Sequence, residues 1–236
     1  MSELRIRALV GIEEVVAGTN LADVILDALT LSSDALVDGD VLVVTSKIVS
    51  KAEGRVVDFD GSPEARDSLI ESESRRILRR RGPLRITETH HGFVNANAGI
   101  DHSNTAEGTA VLLPKDPDRS ARRLRADLRR ALDVDVGVVI TDTFGRTWRN
   151  GVVDVALGVA GLRPILDLRG TPDGNGRILE VTEVAIVDEI AAAANLVLGK
   201  AARTPVAIIS GLNPDYFGPG SVGEDVVRSP TGDLFR

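Results

Sequence analysis

Three apolar runs rich in β-branched residues limit the folds open to this chain more than any other feature. They lie at residues 41–45 (VLVVT), 136–141 (VGVVIT) and 205–210 (PVAIIS). Runs of this length and composition are typical of strands buried on both faces of a sheet. Polar or glycine-rich sequence follows each run, so we expect functional groups at the positions where these strands end.

Apolar residues at helical spacing predict four helices, at residues 21–31, 63–81, 120–132 and 183–202. We expect Asp118 or Ser120 to cap the third helix and Thr182 to cap the fourth. The arginine-rich stretches 75–81 and 119–130 then form solvated helix faces, with an interface role as the alternative. Because helices and strands do not alternate regularly, the predicted class is α+β, with mixed sheets and packed helices.

Composition and charge exclude several classes of protein. The formal net charge of −7 and an aromatic content of 3% argue against binding to nucleic acid. The chain of 236 residues has no cysteine, which excludes disulfides, thiolate metal sites and cysteine nucleophiles. No apolar run approaches the ~18–20 residues that a membrane span needs, and the first residues lack the apolar core of a signal peptide. We therefore expect a cytoplasmic protein without membrane contact.

Two loop motifs offer oxygen ligands. Asp101 and Asn104 lie three residues apart in a stretch of small residues, and Asp142 with Thr143 directly follows the second apolar run. Carboxylate, amide and hydroxyl oxygens suit Mg²⁺ or Mn²⁺, and two aspartates can hold such ions against phosphates. The alternative is that Asp101 and Asn104 cap a turn while Asp142 caps the next element.

Basic residues stand beside both the first and the second apolar run. Residues 45–51 (TSKIVSK) could meet a phosphate group through their hydroxyls and lysines, or could be an ordinary solvated helix start. Arg146 and Arg149 follow Asp142 closely and could neutralise charge during phosphoryl transfer. Trp148 lies between the two arginines, and its alternative role is ordinary core packing.

Common catalytic and nucleotide motifs are absent from the sequence. There is no G-x-x-x-x-G-K-[ST] loop and no G-x-S-x-G elbow, and the GPGSVG string at 218–223 lacks the strand and helix of a dinucleotide site. His90 and His91 are adjacent, so in an extended segment they point in opposite directions and do not chelate one ion. His102 lies between Asp101 and Ser103 and is therefore the histidine best placed for a role in the site. The alternative is an ordinary exposed loop histidine.

Several long motifs, in this order along the chain, make the sequence resemble the coenzyme F420-0:L-glutamate ligase (F420 γ-glutamyl ligase) family. They are DGDVLVVTSKIVSKAEG at 38–54, AGIDHSN at 98–104, LPKDPD at 113–118, ITDTFGRTWRNG at 140–151 and VTEVAIVDEIA at 181–191. The resemblance implies one ligase domain over residues 1–236. It also implies an α+β fold that dimerises as an intertwined pair.

The resemblance implies a GTP- and metal-dependent reaction. L-Glutamate would be added to the phospholactyl carboxylate of F420-0 through an acyl phosphate, followed by a further, γ-linked glutamate. The resemblance implies that Asp101, Asp142 and Thr143 bind two magnesium or manganese ions, and K⁺ is a further candidate ion. The GTP-binding residues that the resemblance implies are Ile12, Glu13, Glu14, Val15, Ser46, Lys51 and Asn104, with later contacts near residues 198–203. Lys51 is the side chain expected to supply positive charge during catalysis. That Arg146 and Arg149 assist it is our own hypothesis and is not implied by the resemblance.

Two other functions remain open at the level of sequence. One is a non-catalytic module that binds F420 or a nucleotide, and the other is an amide ligase with a different acceptor. Some family members continue into a C-terminal flavin-binding domain, so the chain is either a free-standing ligase or the N-terminal part of a longer fusion protein.

Overall fold

The fold is built around a five-stranded sheet, seen in a computed structural model that describes residues 3–103, 105–199 and 204–233. The strands of the described chain are β1 (Arg5–Leu9), β2 (Val41–Thr45), β3 (Val56–Asp58), β4 (Ser74–Arg81), β5 (Leu84–Thr89), β6 (Val94–Ala96), β7 (Thr109–Val111), β8 (Gly137–Arg146), β9 (Arg149–Ala160), β10 (Leu166–Asp167), β11 (Glu183–Val184) and β12 (Val206–Ser210). The central sheet has the order β1-β12-β2-β8-β9, and only β2 and β8 are parallel. The three predicted strands are therefore neighbours at its centre.

Helices cover both faces of this sheet. On one face lie α1 (Leu21–Ser32), α2 (Ser46–Ala52) and α4 (Pro117–Leu132), and on the other lies α5 (Ile186–Asn195). Helix α3 (Pro63–Ser72) instead contacts β4. Leu42 and Val44 of β2 belong to the core layer that contains α1 and α4, whereas Val41 and Val43 belong to the layer that contains α5. Burial on both faces explains why the strand is apolar at every position rather than at alternate ones. The predicted α+β class is confirmed.

Three smaller sheets surround the central one. Strands β4, β5 and β6 form an antiparallel sheet, β3 pairs with β7, and β10 pairs with β11. Short 3₁₀ or π turns complete the described structure at Asn97–Gly99, Pro214–Tyr216, Val222–Val226 and Pro230–Gly232. The β3–β7 pair is functionally important because it holds the segment that contains Asp101.

The predicted helix at 63–81 is wrong in its second half. Helix α3 ends at Ser72, and the arginine-rich stretch that follows is strand β4. The strand pairs with β5, and the buried carboxylate of Glu88 on β5 binds both Arg75 and Arg76. Tertiary pairing therefore overrides the helical propensity of arginine. The stretch is not the solvated helix face that we expected, whereas 119–130 does lie in α4.

The predicted helix caps also need correction. Helix α4 begins at Pro117, and its N-cap is Asp116, whose side chain accepts a hydrogen bond from the Arg119 amide. Asp118 is instead buried, where its carboxylate accepts hydrogen bonds from the amides of Val159, Val222 and Gly223 at 2.8 to 3.1 Å. It thus attaches the C-terminal segment to α4 and β9.

Helix α5 is shorter than the predicted helix at 183–202. It runs from Ile186 to Asn195, and Ala185 is its N-cap in place of Thr182. Glu183 and Val184 form strand β11, because they pair with β10. Among the described residues, no helix combines the length and the apolar character required to cross a membrane.

Candidate active site

The carboxyl ends of the parallel strands β2 and β8 meet at one edge of the central sheet. Thr45, the last residue of β2, lies opposite Thr141 of β8. Helix α2 begins at the next residue, Ser46, and Asp142 directly follows Thr141. The fold therefore brings the basic segment 46–51 and the acidic motif of β8 together, although almost a hundred residues separate them. Ligand sites of open α/β sheets commonly lie outside such strand ends.

The segment that holds Asp101 is tied to β7 on one side and to α2 on the other. The backbone of Asp101 exchanges two hydrogen bonds of 2.9 Å with Val111, and the Ser103 amide donates to Asp101 Oδ1 at 2.7 Å. Lys47 Nζ lies 2.6 Å from Asp101 Oδ2 and donates to the carbonyl oxygen and Oγ of Ser103 at 2.5 and 3.1 Å. A long-range ion pair thus fixes this segment against the sheet.

Asp101 and Asp142 have opposite electrostatic environments. Burial, together with the charges of Asp101 and Asp154, raises the pKa of Asp142 to about 7, against a hydrogen bond from the Thr143 amide and the charge of Lys47. Burial alone would also raise the pKa of Asp101, but hydrogen bonds from Lys47 and Ser103 and the charge of Lys47 bring it below its ordinary value. The charges of Asp101 and Lys47 both act on Asp142, and Lys47 contacts Asp101 directly, so the two acidic motifs lie within electrostatic range of each other.

Asp154 is an acidic member of the site that the sequence analysis missed. It lies on β9 opposite Thr143 and is 4% exposed. Its Oδ1 accepts a hydrogen bond from Thr143 Oγ1 at 2.7 Å, and Oδ2 lies 3.5 Å from Thr141 Oγ1. Because the Thr143 hydroxyl donates a hydrogen bond to Asp154, the lone pairs of the Thr143 oxygen are available to another ligand. The missed signal was the strand hairpin itself, since pairing β8 with β9 places position 154 beside 143.

The predicted nucleotide-binding residues are partly assembled. Lys51, on α2, forms an ion pair of 2.5 Å with Glu14 Oε1, which brings it to the early loop that contains Ile12, Glu13 and Val15. Val15 is buried in the core, whereas Glu13 and Glu14 are exposed, so the loop has an anchored end and a free polar edge. Ser46 is buried in the first turn of α2. Asn104 and residues 200–203 lie outside the described residues.

Arg146 and Arg149 are not brought to the aspartates within one chain. They pair with each other at the tip of the β8–β9 hairpin, and the Arg146 guanidinium donates to the Asn150 carbonyl oxygen. The tip is four residues from Asp142, about 13 Å along an extended strand. Trp148 at the same tip is 89% exposed, so the alternative of core packing is wrong.

The histidines have structural surroundings. His91 Nε2 lies 2.9 Å from the Pro114 carbonyl oxygen, and His90 Nε2 lies 3.0 Å from that of Ser72. Both follow β5 in a turn rather than in an extended segment. His102 stacks on Phe59 with ring centroids 4.4 Å apart.

The oxygen donors at this edge of the sheet are of the chemical type that a hard divalent cation binds. Within residues 3–103, 105–199 and 204–233, no three His, Cys, Asp or Glu side chains form a complete metal cluster. Asp101, Asp142 and the Thr143 hydroxyl provide oxygen donors from two sides of the site. Mg²⁺ typically uses one or two protein carboxylates and completes its shell with water and substrate phosphates.

Comparisons with known proteins point to one family. A family model described as F420-0:Gamma-glutamyl ligase matches residues 10–211. The chain is 42% identical to the coenzyme F420:L-glutamate ligase of Methanothermobacter thermautotrophicus, over 97% of this chain and 98% of the relative. It is 42% identical to the protein of the same name from Methanopyrus kandleri, over 93% and 92% of the two chains. A third protein of that name, from Methanocaldococcus jannaschii, is 40% identical over 84% and 85%.

Proposed function

Because the chain belongs to the F420-0:gamma-glutamyl ligase family, we propose that it joins L-glutamate to coenzyme F420-0 and then adds γ-linked glutamate, using GTP. One observation supports this most directly. Two aspartates and two lysines from separate segments of the chain lie at the carboxyl edge of β2 and β8. These are the groups needed to place a nucleotide triphosphate against a carboxylate.

The reaction requires that the acceptor carboxylate be activated first, because a free carboxylate does not form an amide at a useful rate. The γ-phosphoryl group passes from GTP to a carboxylate oxygen of F420-0, and GDP leaves. The amine of L-glutamate then attacks the acyl carbon of the acyl phosphate. Inorganic phosphate leaves with the former carboxylate oxygen, and the nitrogen loses one proton. The protein must therefore bring two anions together and hold the amine beside them.

Asp101, Asp142 and the Thr143 hydroxyl would hold Mg²⁺ or Mn²⁺, as two ions, with K⁺ as a further candidate. The divalent ions would offset negative charge where the phosphates meet the acceptor carboxylate. Asp154 would orient Thr143 through the hydrogen bond of 2.7 Å that its Oδ1 accepts from Thr143 Oγ1. The acidic neighbours of Asp142 favour binding of a cation at this position, since each raises the free energy of its charged form.

Lys51 would bind the phosphates of GTP. Its ion-pair partner is Glu14, an exposed side chain on the early loop. A triphosphate that enters between the loop and α2 can replace Glu14 as the partner of this ammonium, which remains only 13% exposed. Ser46 and Asn104 would contribute further polar contacts. Arg146 and Arg149 would add positive charge only if the hairpin tip meets substrate or a second protomer.

The decisive experiment is mass analysis of the products formed from F420-0, L-glutamate, GTP and Mn²⁺. We expect products heavier by one and then two glutamate residues, with GDP released in step. Asp27→Asn, on the exposed face of α1, is a matched control that should behave as wild type. Binding of F420-0 without GDP release would support the non-catalytic module instead, and turnover with another acid would support a different acceptor.

A homodimer would use the β8–β9 hairpin. Strand β8 pairs with β2 only as far as Thr141, so residues beyond Asp142 form a two-stranded ribbon outside the sheet. Trp148 and Val152 on this ribbon are 89% and 60% exposed. A two-stranded ribbon is marginally stable in water by itself, which favours a partner surface.

The only tryptophan of the chain makes this dimer directly measurable. We expect light scattering to give twice the chain mass, and Trp148 fluorescence to be protected from acrylamide. Trp148→Ala should shift the equilibrium towards the monomer, whereas Leu196→Ala, at another exposed apolar position, should not. A monomer at every concentration, with fully quenchable fluorescence, would contradict the dimer.

A further inference from the structure

We propose that Lys47 is an internal counter-ion that competes with the divalent cation for Asp101 and so couples cation binding to nucleotide binding. The inference rests on the proposed function, because it concerns the same site. It assigns to Lys47 a role different from that of Lys51. Three oxygen atoms from Asp101 and Ser103 surround its ammonium group.

The Lys47 ammonium is surrounded by the kinds of oxygen that bind a divalent cation. Nζ lies 2.6 Å from the carboxylate of Asp101, 2.5 Å from the carbonyl oxygen of Ser103 and 3.1 Å from its hydroxyl. Carboxylate, carbonyl and hydroxyl oxygens are typical donors to Mg²⁺ and related ions. The ammonium group therefore contacts donors that a cation on Asp101 would need.

The acidic surroundings require such a counter-charge. Asp142 is influenced by the charges of Asp101 and Asp154, and Lys47 is the cation whose charge acts on it in the opposite direction. Lys47 is only 22% exposed at its side chain, so water screens this interaction incompletely. Removal of Lys47 without replacement would leave neighbouring carboxylates repelling one another.

A divalent ion and the Lys47 ammonium cannot both occupy the position beside Asp101 Oδ2 without strong repulsion. Charges about 4 Å apart interact by several kcal/mol at the effective dielectric constant of a protein surface. Lysine is a point charge on a flexible stem, so it can move to a different oxygen ligand. The oxygens of a nucleotide triphosphate offer that new partner. Cation and nucleotide should therefore bind far better together than separately.

Lys51 provides an internal comparison. Its ion-pair partner is Glu14, whose side chain is 76% exposed, and it donates to none of the oxygens around Asp101 that hold Lys47. Lys51 and Lys47 are four residues apart on α2 but interact with different segments of the chain. The competition with a cation is therefore specific to Lys47.

The test is direct measurement of Mn²⁺ binding in the absence of nucleotide, by electron paramagnetic resonance of the free ion. We expect Lys47→Gln to bind Mn²⁺ at least about tenfold more tightly than wild type, because the repulsion by the ammonium is removed. Lys47→Arg keeps the charge and should remain as weak as wild type. Lys115→Gln removes an exposed lysine elsewhere and serves as the matched control. Circular dichroism verifies that each variant is folded.

A second measurement separates this role from a merely structural one. The Mn²⁺ complex of a non-hydrolysable GTP analogue should bind Lys47→Gln more weakly than wild type, since the phosphates lose a partner. The same substitution thus strengthens one equilibrium and weakens the other. Local loosening of the segment around Asp101 would weaken both.

The possible outcomes distinguish this inference from the proposed function. If Lys47→Gln binds Mn²⁺ no more tightly than wild type, Lys47 does not compete with the cation, even where ligase products form normally. If Mn²⁺ binding tightens as expected but no glutamate is added to F420-0, the Lys47 inference stands and the proposed reaction fails. If neither wild type nor variant binds Mn²⁺ with the nucleotide analogue present, both are overturned.

Discussion

Strand β8 and the segment around Asp101 meet at the same site but hold their carboxylates in different ways. Strand β8 is paired with β2 and β9, and Asp142 lies where the buried part of this strand ends. Asp101 is held by a single bridge to β7 and by Lys47, and its side chain is 41% exposed. The pKa of Asp142 is raised whereas that of Asp101 is lowered.

This difference separates two requirements of a cation site. The sheet fixes the position of one carboxylate at the cost of burying it near other acids. The second carboxylate, Asp101, is paired with Lys47 and is also partly exposed to water. We therefore expect the two aspartates to respond differently to the same substitution, with Asp142 the more sensitive.

Asp142→Asn should have the largest effect. Asparagine keeps the shape of the side chain but lacks the negative charge that would attract a cation at the rigid side of the site. We expect ligation to fall by about a thousandfold, equivalent to about 4 kcal/mol of transition-state stabilisation. The measurement is product mass and GDP release under saturating substrates and Mn²⁺, with Asp27→Asn as control. Near-normal turnover would remove Asp142 from the chemistry.

Asp101→Asn should have a smaller effect that depends on the cation concentration. Water can replace an exposed carboxylate as an oxygen ligand of the cation. We therefore expect the rate of ligation to fall by about a hundredfold at limiting Mn²⁺. Raising the Mn²⁺ concentration should recover part of the rate in this variant but not in Asp142→Asn. Equal losses that Mn²⁺ does not relieve in either variant would contradict the distinction between the two regions.

Asp154→Asn tests whether the rigid side of the site extends to β9. Asp154 accepts a hydrogen bond from the Thr143 hydroxyl, and such outer partners of a ligand typically contribute about 10–100-fold to metal affinity or activity. We expect a loss of about tenfold, with weaker Mn²⁺ binding in the presence of nucleotide. Thr143→Val removes the hydroxyl itself and should lose at least as much. The double variant should then lose no more than Thr143→Val alone, and additive losses would argue against a shared role.

The three central strands of the main sheet were predictable from local sequence, whereas its outer strands β1 and β9 were not predicted. Continuous apolar runs identify strands that are covered on both faces, and hydroxyl and carboxylate residues at the end of such a run identify a site. The predicted helix at 63–81 failed because β4 is defined by its pairing with β5 and by the buried carboxylate of Glu88. Neither feature can be read from the arginines themselves.

Asp154 and Lys47 show the same limit within the site. The relation between Asp154 and Thr143 depends on the register of the β8–β9 hairpin, whereas the predicted strand ended at residue 141, two residues before Thr143, and had no predicted partner strand on its C-terminal side. Lys47 was visible as part of a basic loop, but its partner is 54 positions away and is brought to it by the β3–β7 pair. Local patterns identify these residue types, whereas long-range pairing determines which atoms they contact.

The smallest expected effect is on the pH dependence of stability, and it compares the two aspartates directly. Since folding raises the pKa of Asp142 to about 7, the folded protein binds more protons than the unfolded chain between about pH 4 and pH 7. The free energy of unfolding should therefore fall as pH rises through this window. The lowered pKa of Asp101 acts the other way: its contribution is present above its ordinary pKa of 3.8 and is lost only as pH falls further.

Urea denaturation at pH 5, 6, 7 and 8, without divalent ions, measures this difference. Relative to Asp142→Asn, wild type should lose about 1–3 kcal/mol between pH 5 and pH 8, a range that allows for the partial exposure of the side chain. Wild type and Asp142→Asn share every other ionisable group, so the contribution of those groups largely cancels in the comparison. Asp101→Asn should show a shallower slope than wild type but a steeper one than Asp142→Asn, because it removes one of the charges that raise the pKa of Asp142 and leaves the burial of that carboxylate in place. Parallel curves for wild type and Asp142→Asn would mean that Asp142 is charged in the folded protein at pH 5, and that the two regions do not differ in the way described.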